Sequence, residues 1–260
     1  MSENAGPRIP FIMPPMDCDA LADWMEAEYP DEFCVSLSFE SDFLDSLCAS
    51  GFITMAISDG DEYLLPKMHI LRAVMEPRDM FVSGTTRRES SRYSIGLDER
   101  FEEVLGACVE THGDGWLRPP LVEAWLELFA SRGRRLCRFS SMELYAGTEL
   151  VAGEIGVFAG ACYTSLTGFR RRSGSGTVQL AATARYLEAS GVALWDLGMP
   201  LDYKASMGAH NVARGEFLSL FRAARDLAAR SSPPFPAGDR LSARALVDRR
   251  AGPASGPTSP

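Results

Sequence analysis

The chain has 260 residues, of which 46% are hydrophobic and 23% charged, and its formal net charge is −9. This apolar fraction is typical of a globular protein. The chain contains no run of 18 or more apolar residues, so no transmembrane helix is predicted. The N-terminus lacks the basic start and apolar run of a secretory signal. The six cysteines form no CxxC pair, which argues against a zinc site and a disulfide framework. We expect a reduced, cytoplasmic protein that binds no metal.

The acidity is confined to the N-terminal quarter of the chain. Residues 1–66 contain 14 acidic residues and one basic residue, whereas the remainder contains 25 basic and 21 acidic residues. The net charge of the remainder is therefore +4. This balance is compatible with a local basic surface, so the negative total does not exclude a nucleic acid partner.

The first part of the chain predicts a small α+β unit. Residues 1–16 are rich in proline and predict a flexible lead, after which Asp17 fits the N-cap of an amphipathic helix. The alternating run 33–39 predicts a strand, and the turn at 58–61 joins two strands of a hairpin. We therefore expect a small N-terminal domain over residues 17–68.

Residues 69–230 predict a larger domain. Asp98 fits the cap of its first helix, and its second helix is expected to end at Gly133. Three strands within 136–169 predict an antiparallel meander, which is followed by a helix, a strand and a last helix. This order is similar to that of GNAT-type N-acyltransferases, in which the central strands splay apart to admit the acyl donor. Residues 231–260 are poor in apolar residues and predict a disordered tail.

A basic, glycine-rich turn precedes the helix that follows the meander. Three arginines, Arg170, Arg171 and Arg172, come before Gly174 and Gly176. Free N–H groups at the start of a helix bind anions, and the R-x-x-G-x-G spacing is similar to the pyrophosphate loop of GNAT acetyltransferases. Two interpretations remain open, a phosphate-binding loop and a solvated basic turn.

Other segments offer weaker candidates. Trp116 lies in a glycine-rich turn and is either a stacking platform for a base or a core anchor. Arg87, Arg88 and Arg92 form a group that could contact phosphates or simply face solvent. The histidines have no ligand-like spacing, and His210 is a candidate proton shuttle. No G-x-S-x-G motif supports covalent catalysis.

An acidic residue stands at the end of a buried strand. Asp196 follows the apolar run 193–195 and is followed two residues later by Gly198. A turn or capping carboxylate is one interpretation of this pattern. The other is an active site, because α/β proteins build sites at the ends of strands.

Several longer segments share their order and spacing with one enzyme family. They are RAVMEPRDMFVS, RYSIGLDERFEEVLGAC, SMELYAGTELVAGEIGVFAG and WDLGMPLDYKASMGAHNVARGEFL. The chain, from about Leu47 to Phe221, resembles leucyl/phenylalanyl-tRNA–protein transferases. The resemblance implies an α+β protein with a small N-terminal domain and a GNAT-like domain with a mixed, mostly antiparallel sheet.

The resemblance also implies individual site residues. Asp196 matches the aspartate of the family's Asp-Cys-Gln, but Gly198 replaces the glutamine that assists the attacking amine. The family's Gly-Glu-Ser-Met-Phe-Ser becomes residues 165–170, so its glutamate is absent while Phe169 remains.

Further positions follow from the same comparison. Trp116 matches a tryptophan near the tRNA end, Tyr163 replaces a pocket phenylalanine, and residues 53–55 align with the Phe-Pro-Trp that closes the aminoacyl pocket. Tyr203, Asp202 or Ser206 could replace the missing amide, and we expect Tyr203 and Ser206 to bind substrate.

The function implied is transfer of a leucyl or phenylalanyl group from tRNA to the N-terminal amine of an acceptor protein, which marks the acceptor for degradation. No cofactor is expected, and the protein is expected to be a monomer. Two alternatives stay open: a coenzyme A-dependent N-acetyltransferase that uses acetyl-CoA, and a non-catalytic tRNA- or degron-binding protein. The expected contacts to tRNA phosphates are Arg87, Arg88, Arg170, Arg171, Arg172, Gly174 and Gly176.

Overall fold

The computed structural model describes residues 9–113, 115–131, 134–227 and 240–248, and it confirms the α+β fold. The helices of these residues are α1 (Cys18–Ala27), α2 (Ser41–Ala49), α3 (Gly84–Glu89), α4 (Phe101–His112), α5 (Pro119–Ala130), α6 (Ser175–Ala189), α7 (Asp202–Ser206), α8 (Arg214–Arg225) and α9 (Ala243–Val247). The strands are β1 (Ile53–Asp59), β2 (Asp61–Lys67), β3 (Leu71–Met75), β4 (Ser94–Leu97), β5 (Arg138–Ala146), β6 (Glu149–Ala159), β7 (Cys162–Arg170), β8 (Leu194–Asp196), β9 (His210–Ala213) and β10 (Leu241–Ser242). None of the described helices has the length and apolar character needed to span a bilayer.

Eight strands form one sheet, in the order β10-β4-β5-β6-β7-β8-β3-β9. In the described residues only β7 and β8 pair in parallel, and the other pairs of this sheet are antiparallel. Tight turns at Gly147 and Gly160, both with positive φ, join β5, β6 and β7. The helix α6 then carries the chain back across the sheet, so that β8 runs in the same direction as β7. The mixed, mostly antiparallel sheet is confirmed.

Helices cover both faces of this sheet. On one face α6 and α9 contribute Val178, Leu187 and Leu246 to an apolar core. On the other face a second core contains Trp125 of α5 and Phe217 of α8, together with side chains of α4. Because both faces are covered, β6 is buried from its second residue to its last. A polar side chain on this strand is therefore conspicuous.

The N-terminal segment packs on the same core as α4, α5 and α8. The predicted hairpin is confirmed as β1 and β2, and Asp17 caps α1 by accepting a hydrogen bond from the Ala20 amide at 3.0 Å. Arg214, at the start of α8, is buried and joins the two parts through backbone carbonyls. Its guanidinium donates to the carbonyl oxygens of Met25, Tyr29, Asp31 and Met68 at 2.5–3.0 Å. A domain boundary at residue 68 stays a prediction.

The residues near the N-terminus differ from the sequence-based expectation. Residues 33–39 were expected to form a strand, but they make only isolated bridges, to Phe11 on one side and to β2 on the other. Residues 9–16, which were expected to be flexible, pack against residues 33–39. Ile12 N donates to the Val35 carbonyl at 2.9 Å, and the Ile12 side chain is buried. Residues 1–8 lie outside the described residues.

The expected helix cap at Asp98 is also wrong. The helix α4 begins at Phe101, and Asp98 has a φ of 58° with its carboxylate turned toward β5. There it accepts hydrogen bonds from the Ser140 hydroxyl at 2.6 Å and the Ser141 amide at 2.9 Å. The carboxylate thus satisfies donors of the sheet rather than the free N–H groups of the helix. The expected end of α5 at Gly133 lies outside the described residues.

Part of the tail expected to be disordered is ordered. The strand β10 pairs with β4, and α9 buries Leu246 and Val247 against the α6 side of the sheet. Arg240 stacks over Tyr145, 3.5 Å from the ring centroid, and pairs with Glu99 at 3.0 Å. The few apolar residues of the tail are concentrated in this short stretch, which the average composition conceals. Residues 231–239 and 249–260 lie outside the described residues.

Truncation of Leu246 tests whether this segment contributes to stability. Leu246→Ala should lower the free energy of unfolding by about 2 kcal/mol or more, which corresponds to a fall in Tm of at least about 4 °C. Ala245→Ser on the exposed side of α9 is the matched control and should leave Tm within about 1 °C. Equal melting temperatures for both variants and the wild type would show that α9 does not stabilise the fold.

Candidate active site

The strands β7 and β8 separate after a short parallel pairing. Their register ends with Thr164 opposite Asp196. Beyond this point β7 continues beside β6 to Arg170, whereas the chain after Asp196 turns toward β3, where Leu197 N donates to the Ala73 carbonyl at 2.9 Å. The separation, called here the β7/β8 opening, is the feature expected of a sheet that admits an acyl donor.

Asp196 is buried at the edge of this opening and is fully engaged. Its side chain is 0% exposed and forms a bidentate pair with Arg72, at 2.9 Å to Nε and 3.0 Å to Nη2. The Thr164 hydroxyl donates to the same carboxylate at 3.0 Å, and the Gly198 amide donates at 2.8 Å. These four contacts tie β3, β7 and β8 to the turn that follows Asp196.

The partner of Asp196 is equally buried. Arg72 also contacts His69 Nδ1 at 2.7 Å, donates to the Gly51 carbonyl at 2.8 Å and stacks over Phe217, 4.3 Å from the ring centroid. Burial, and then the positive charge of Arg72, lower the pKa of His69 to about 2. His69 is therefore neutral. Its Nδ1 accepts a hydrogen bond from the Arg72 guanidinium, because a guanidinium can only donate.

This geometry supports a positioning role for Asp196. Both of its oxygens accept two hydrogen bonds, and neither is exposed to an incoming amine. The carboxylate instead fixes the turn at Gly198, whose φ is 72°. A catalytic contact between Asp196 and substrate stays a prediction without support from these contacts.

A polar cluster occupies the other face of the sheet beside the opening. Glu154 on β6 is 4% exposed and accepts hydrogen bonds from the Tyr163 hydroxyl at 3.0 Å and the Ser165 hydroxyl at 3.4 Å. Trp195 Nε1 donates to the Ser165 hydroxyl at 2.9 Å. Burial raises the pKa of Glu154 to about 7, and the hydrogen bonds only partly oppose this effect. The absence of a side chain at Gly156 leaves room for the Tyr163 ring.

The short helix α7 adds a buried cation near both carboxylates. Lys204 Nζ donates to the carbonyls of Leu197 and Met199 at 2.6 and 2.7 Å. Burial lowers the pKa of Lys204 to about 8, although Asp196 and Glu154 favour its charged form. Its neighbours Tyr203 and Ser206 are exposed, and the Ser206 hydroxyl donates to the Tyr203 carbonyl at 2.7 Å. The two predicted binding residues therefore lie at the surface of α7.

Trp116 and the hairpin lie together at the edge of the other core. The Trp116 carbonyl accepts from the Ala56 amide at 3.0 Å, and its half-buried ring lies 6.3 Å from that of Trp125. In the same hairpin the Ile53 side chain comes within 3.2 Å of the position that a Cβ would occupy on Gly198. Residues 53–55 thus approach both the turn at Gly198 and the aromatic pair.

The two predicted pocket residues of β7 do not share a core. Tyr163 packs in the core on the α6 side, whereas Phe169 is buried in the core on the α4 and α8 side. The Phe169 ring also lies under the guanidinium of Arg171, 5.2 Å from its centroid. The sheet therefore separates these predicted binding residues instead of joining them in one pocket.

The three arginines before α6 differ in whether their guanidinium groups are free to bind a phosphate. Arg171 donates to the Leu150 carbonyl at 3.1 Å and approaches Glu110 at 3.9 Å, and Arg172 forms an ion pair with Glu149. Arg170 is exposed and forms no ion pair within the described residues. Gly174 caps α6 with a φ of 79° and has open space around it, as an anion-binding turn requires. A side chain at Gly176 would meet only Arg170, at 3.5 Å.

The arginines of α3 are also divided. Arg87 pairs with Asp248 at 2.7 Å and donates to the Val247 carbonyl at 3.2 Å, so the tail segment occupies its guanidinium. Arg88 is exposed and has no ion pair in the part of the chain that the structure describes. Arg88 and Arg170 are therefore the more available of the predicted phosphate contacts.

Three buried charged residues beside the opening were missed by the sequence reasoning: Arg72, Glu154 and Lys204. A charged residue inside an apolar strand was a usable signal for two of them, in ILRAVM and in VAGEIGVFAG. Burial of Lys204 depends on the path of α7, which no local pattern predicts. In the described ranges no group of three or more His, Cys, Asp or Glu side chains could hold a metal ion.

Comparison with known proteins assigns the family. The model of the family leucyl/phenylalanyl-tRNA protein transferase matches residues 74–222. The chain belongs to this family. The match begins in β3, ends in α8 and includes every strand that borders the β7/β8 opening.

Individual family members show the same similarity. The chain is 28% identical over 178 residues to the leucyl/phenylalanyl-tRNA–protein transferase of Paracoccus denitrificans, covering 68% of this chain and 81% of that protein. The Roseobacter denitrificans protein of the same name is also 28% identical, with 68% and 82% covered. The Chromobacterium violaceum protein is 30% identical over 156 residues, with 58% and 65% covered.

The buried pair at the opening predicts the effect of Asp196→Asn. This change leaves Arg72 buried without its counter-charge, so it should lower the free energy of unfolding by about 3 kcal/mol or more. Asp202→Asn, at an exposed aspartate of the same region, should cost less than about 0.5 kcal/mol. Urea unfolding of both variants measures the difference. Equal stabilities would show that the pair does not hold β3 and β8 together.

Proposed function

We propose that the protein transfers an aminoacyl group, leucyl or phenylalanyl, from tRNA to the N-terminal amine of an acceptor protein. Membership of the family carries this proposal, since the match spans all the strands that border the β7/β8 opening. In cells, such a transfer would mark the acceptor protein for degradation. The cytoplasm, where aminoacyl-tRNA is present, and a monomeric state are part of the same proposal.

The reaction requires little covalent chemistry from the protein. The acceptor amine attacks the carbonyl carbon of the aminoacyl ester, the new C–N bond forms, and the 3′-oxygen of the tRNA leaves with a proton lost by the amine. An ester is already activated, so orientation of the two substrates supplies much of the acceleration. The Arg72–Asp196 pair serves this requirement by fixing the strand ends and the turn at Gly198.

The surroundings of the opening suggest where each substrate binds. We place the aminoacyl group between β7 and the turn at Gly198, and the terminal adenosine toward Trp116 and the hairpin residue Ile53. The exposed side chains Tyr203 and Ser206 belong to α7, which follows the turn at Gly198, and would meet the acceptor.

Phosphate contacts of the tRNA are assigned to exposed cations. Arg88 and Arg170 are the first candidates because no carboxylate pairs with them within the described residues. Arg171 and Arg172 would first have to leave Glu110 and Glu149, and Arg87 would have to leave Asp248. Gly174 and Gly176 would present backbone N–H groups at the start of α6.

A coenzyme A donor has a specific observation in its favour, namely the open glycine turn before α6. The ion pairs of Arg171 and Arg172 count against it, because the R-x-x-G-x-G interpretation depends on Arg171. A non-catalytic binding protein is favoured by the family glutamine and glutamate that this chain lacks at Gly198 and Leu166.

A transfer assay separates these functions. Purified protein is incubated with leucyl-tRNA, phenylalanyl-tRNA or acetyl-CoA, each labelled in its acyl group, and with a panel of peptides that differ in their N-terminal residue. We expect label in peptide from at least one aminoacyl-tRNA and none from acetyl-CoA. Peptides with blocked N-termini are the control and should stay unlabelled. Transfer from acetyl-CoA alone would contradict the proposal, and tRNA binding without transfer would favour the non-catalytic function.

A further inference from the structure

Glu154 is a buried carboxyl group beside the opening that has no counter-charge among the described residues. It lies in the middle of β6, is 4% exposed, and forms no ion pair within the described residues. Its hydrogen bonds come from neutral hydroxyls, at 3.0 Å from Tyr163 and 3.4 Å from Ser165. An apolar side chain would fill this position at lower free-energy cost, because a buried carboxylate loses its hydration.

The surroundings of Glu154 are neutral or already occupied. Tyr163 and Ser165 face it from β7, and Gln179 of α6 is a further hydrogen-bond donor to it. Lys204 of α7 is the nearby cation, but its ammonium donates to the carbonyls of Leu197 and Met199. The negative charge of Glu154 therefore lacks a dedicated partner in the described residues. This deficiency would be met by a ligand that brings both positive charge and N–H donors.

Ser165 connects this carboxyl group to the opening. Its hydroxyl bridges Glu154 and Trp195 Nε1, and its side chain is partly exposed where β7 and β8 separate. Ser165 is thus a partly exposed residue in direct contact with Glu154, at the place where β7 and β8 separate. Replacing the long 3.4 Å hydrogen bond by a contact with a cation would strengthen the hydrogen bonding of the carboxylate.

We propose that Glu154 binds a primary ammonium group of the substrates in the β7/β8 opening. The proposal rests on the proposed aminoacyl transfer, in which both substrates carry such a group: the α-amine of the donor and the N-terminal amine of the acceptor. A carboxylate at this point selects unblocked amino acid esters over acyl donors without an amine, such as acetyl-CoA. It also explains why β6 contains an acidic residue between two packed cores.

Binding of a stable donor analogue tests the contact without requiring catalysis. The probes are 3′-leucylamino-3′-deoxyadenosine, in which an amide replaces the ester, its N-acetyl derivative, and a free-amine leucyl peptide as the acceptor mimic. Calorimetry gives each Kd for the wild type, Glu154→Gln and Glu143→Gln. Glu143 is the matched control, since it is also a buried β-strand glutamate whose pKa burial raises to about 7, but it lies near Arg100 away from the opening.

Glu154→Gln should weaken binding of one free-amine probe by about 30-fold or more, because a buried ion pair is lost. Glu143→Gln should change each Kd by less than about twofold. A loss confined to the nucleoside identifies the donor amine, and a loss confined to the peptide identifies the acceptor amine. In the first case N-acetylation should weaken binding to the wild type and not to Glu154→Gln.

The pH dependence provides a second readout. The pKa of Glu154 is raised to about 7, so the free carboxyl group takes up a proton as the pH falls from 7 to 5.5 and loses its attraction for an ammonium. The facing groups do not titrate in this range, since the pKa of Tyr163 is raised well above 10 and that of Lys204 is about 8. Wild-type affinity should fall over this interval, and that of Glu154→Gln should not.

Two results would overturn the proposal: unchanged affinity of Glu154→Gln for both free-amine probes, or failure of the wild type to bind either probe. Melting curves of both variants confirm that the fold is intact, and Glu154→Asp provides a second variant if the glutamine variant does not fold. If the probes bind through Glu154 but no label is transferred from tRNA, the proposed function fails while this inference stands.

Discussion

The ion pair between Arg72 and Asp196 is the contact on which the geometry of the candidate site depends. It is completely buried, and it joins three strands at the point where β7 and β8 separate. The additional contacts of the pair reach five further places: Nδ1 of His69, Thr164 on β7, the amide of Gly198, the carbonyl of Gly51 and the ring of Phe217 on α8. A fully satisfied charge network of this kind rigidifies its surroundings but offers little to a substrate.

The two faces of the sheet therefore have different roles. On the α8 side the Arg72–Asp196 pair holds the strand ends in place. On the α6 side Glu154, Tyr163 and Ser165 form a hydrogen-bonded cluster next to the opening, and within the described residues Glu154 forms no ion pair. We propose that the family's reaction takes place in this opening, which is fixed from one face and lined by polar groups from the other.

The fold could be predicted from the sequence more completely than the contacts of the candidate site. The order of strands and helices, the hairpin and the mixed sheet could be predicted because each depends on local periodicity and on turn residues. Asp196 was also singled out, but its partner Arg72 lies 124 residues earlier, and no local pattern connects the two. The cap at Asp98 was wrong, and so was the disorder expected at residues 240–248, because contacts distant in sequence, to β5 and to α6, decided those conformations.

A crystal structure of the protein with 3′-leucylamino-3′-deoxyadenosine would test the central claim most directly, because it locates the aminoacyl group. We predict that the carbonyl of the analogue lies between Ser165 and Gly198, that the adenosine lies toward Trp116, and that Arg72 is still paired with Asp196. Binding of the analogue at the glycine turn before α6, with no ligand atom between β7 and β8, would contradict it.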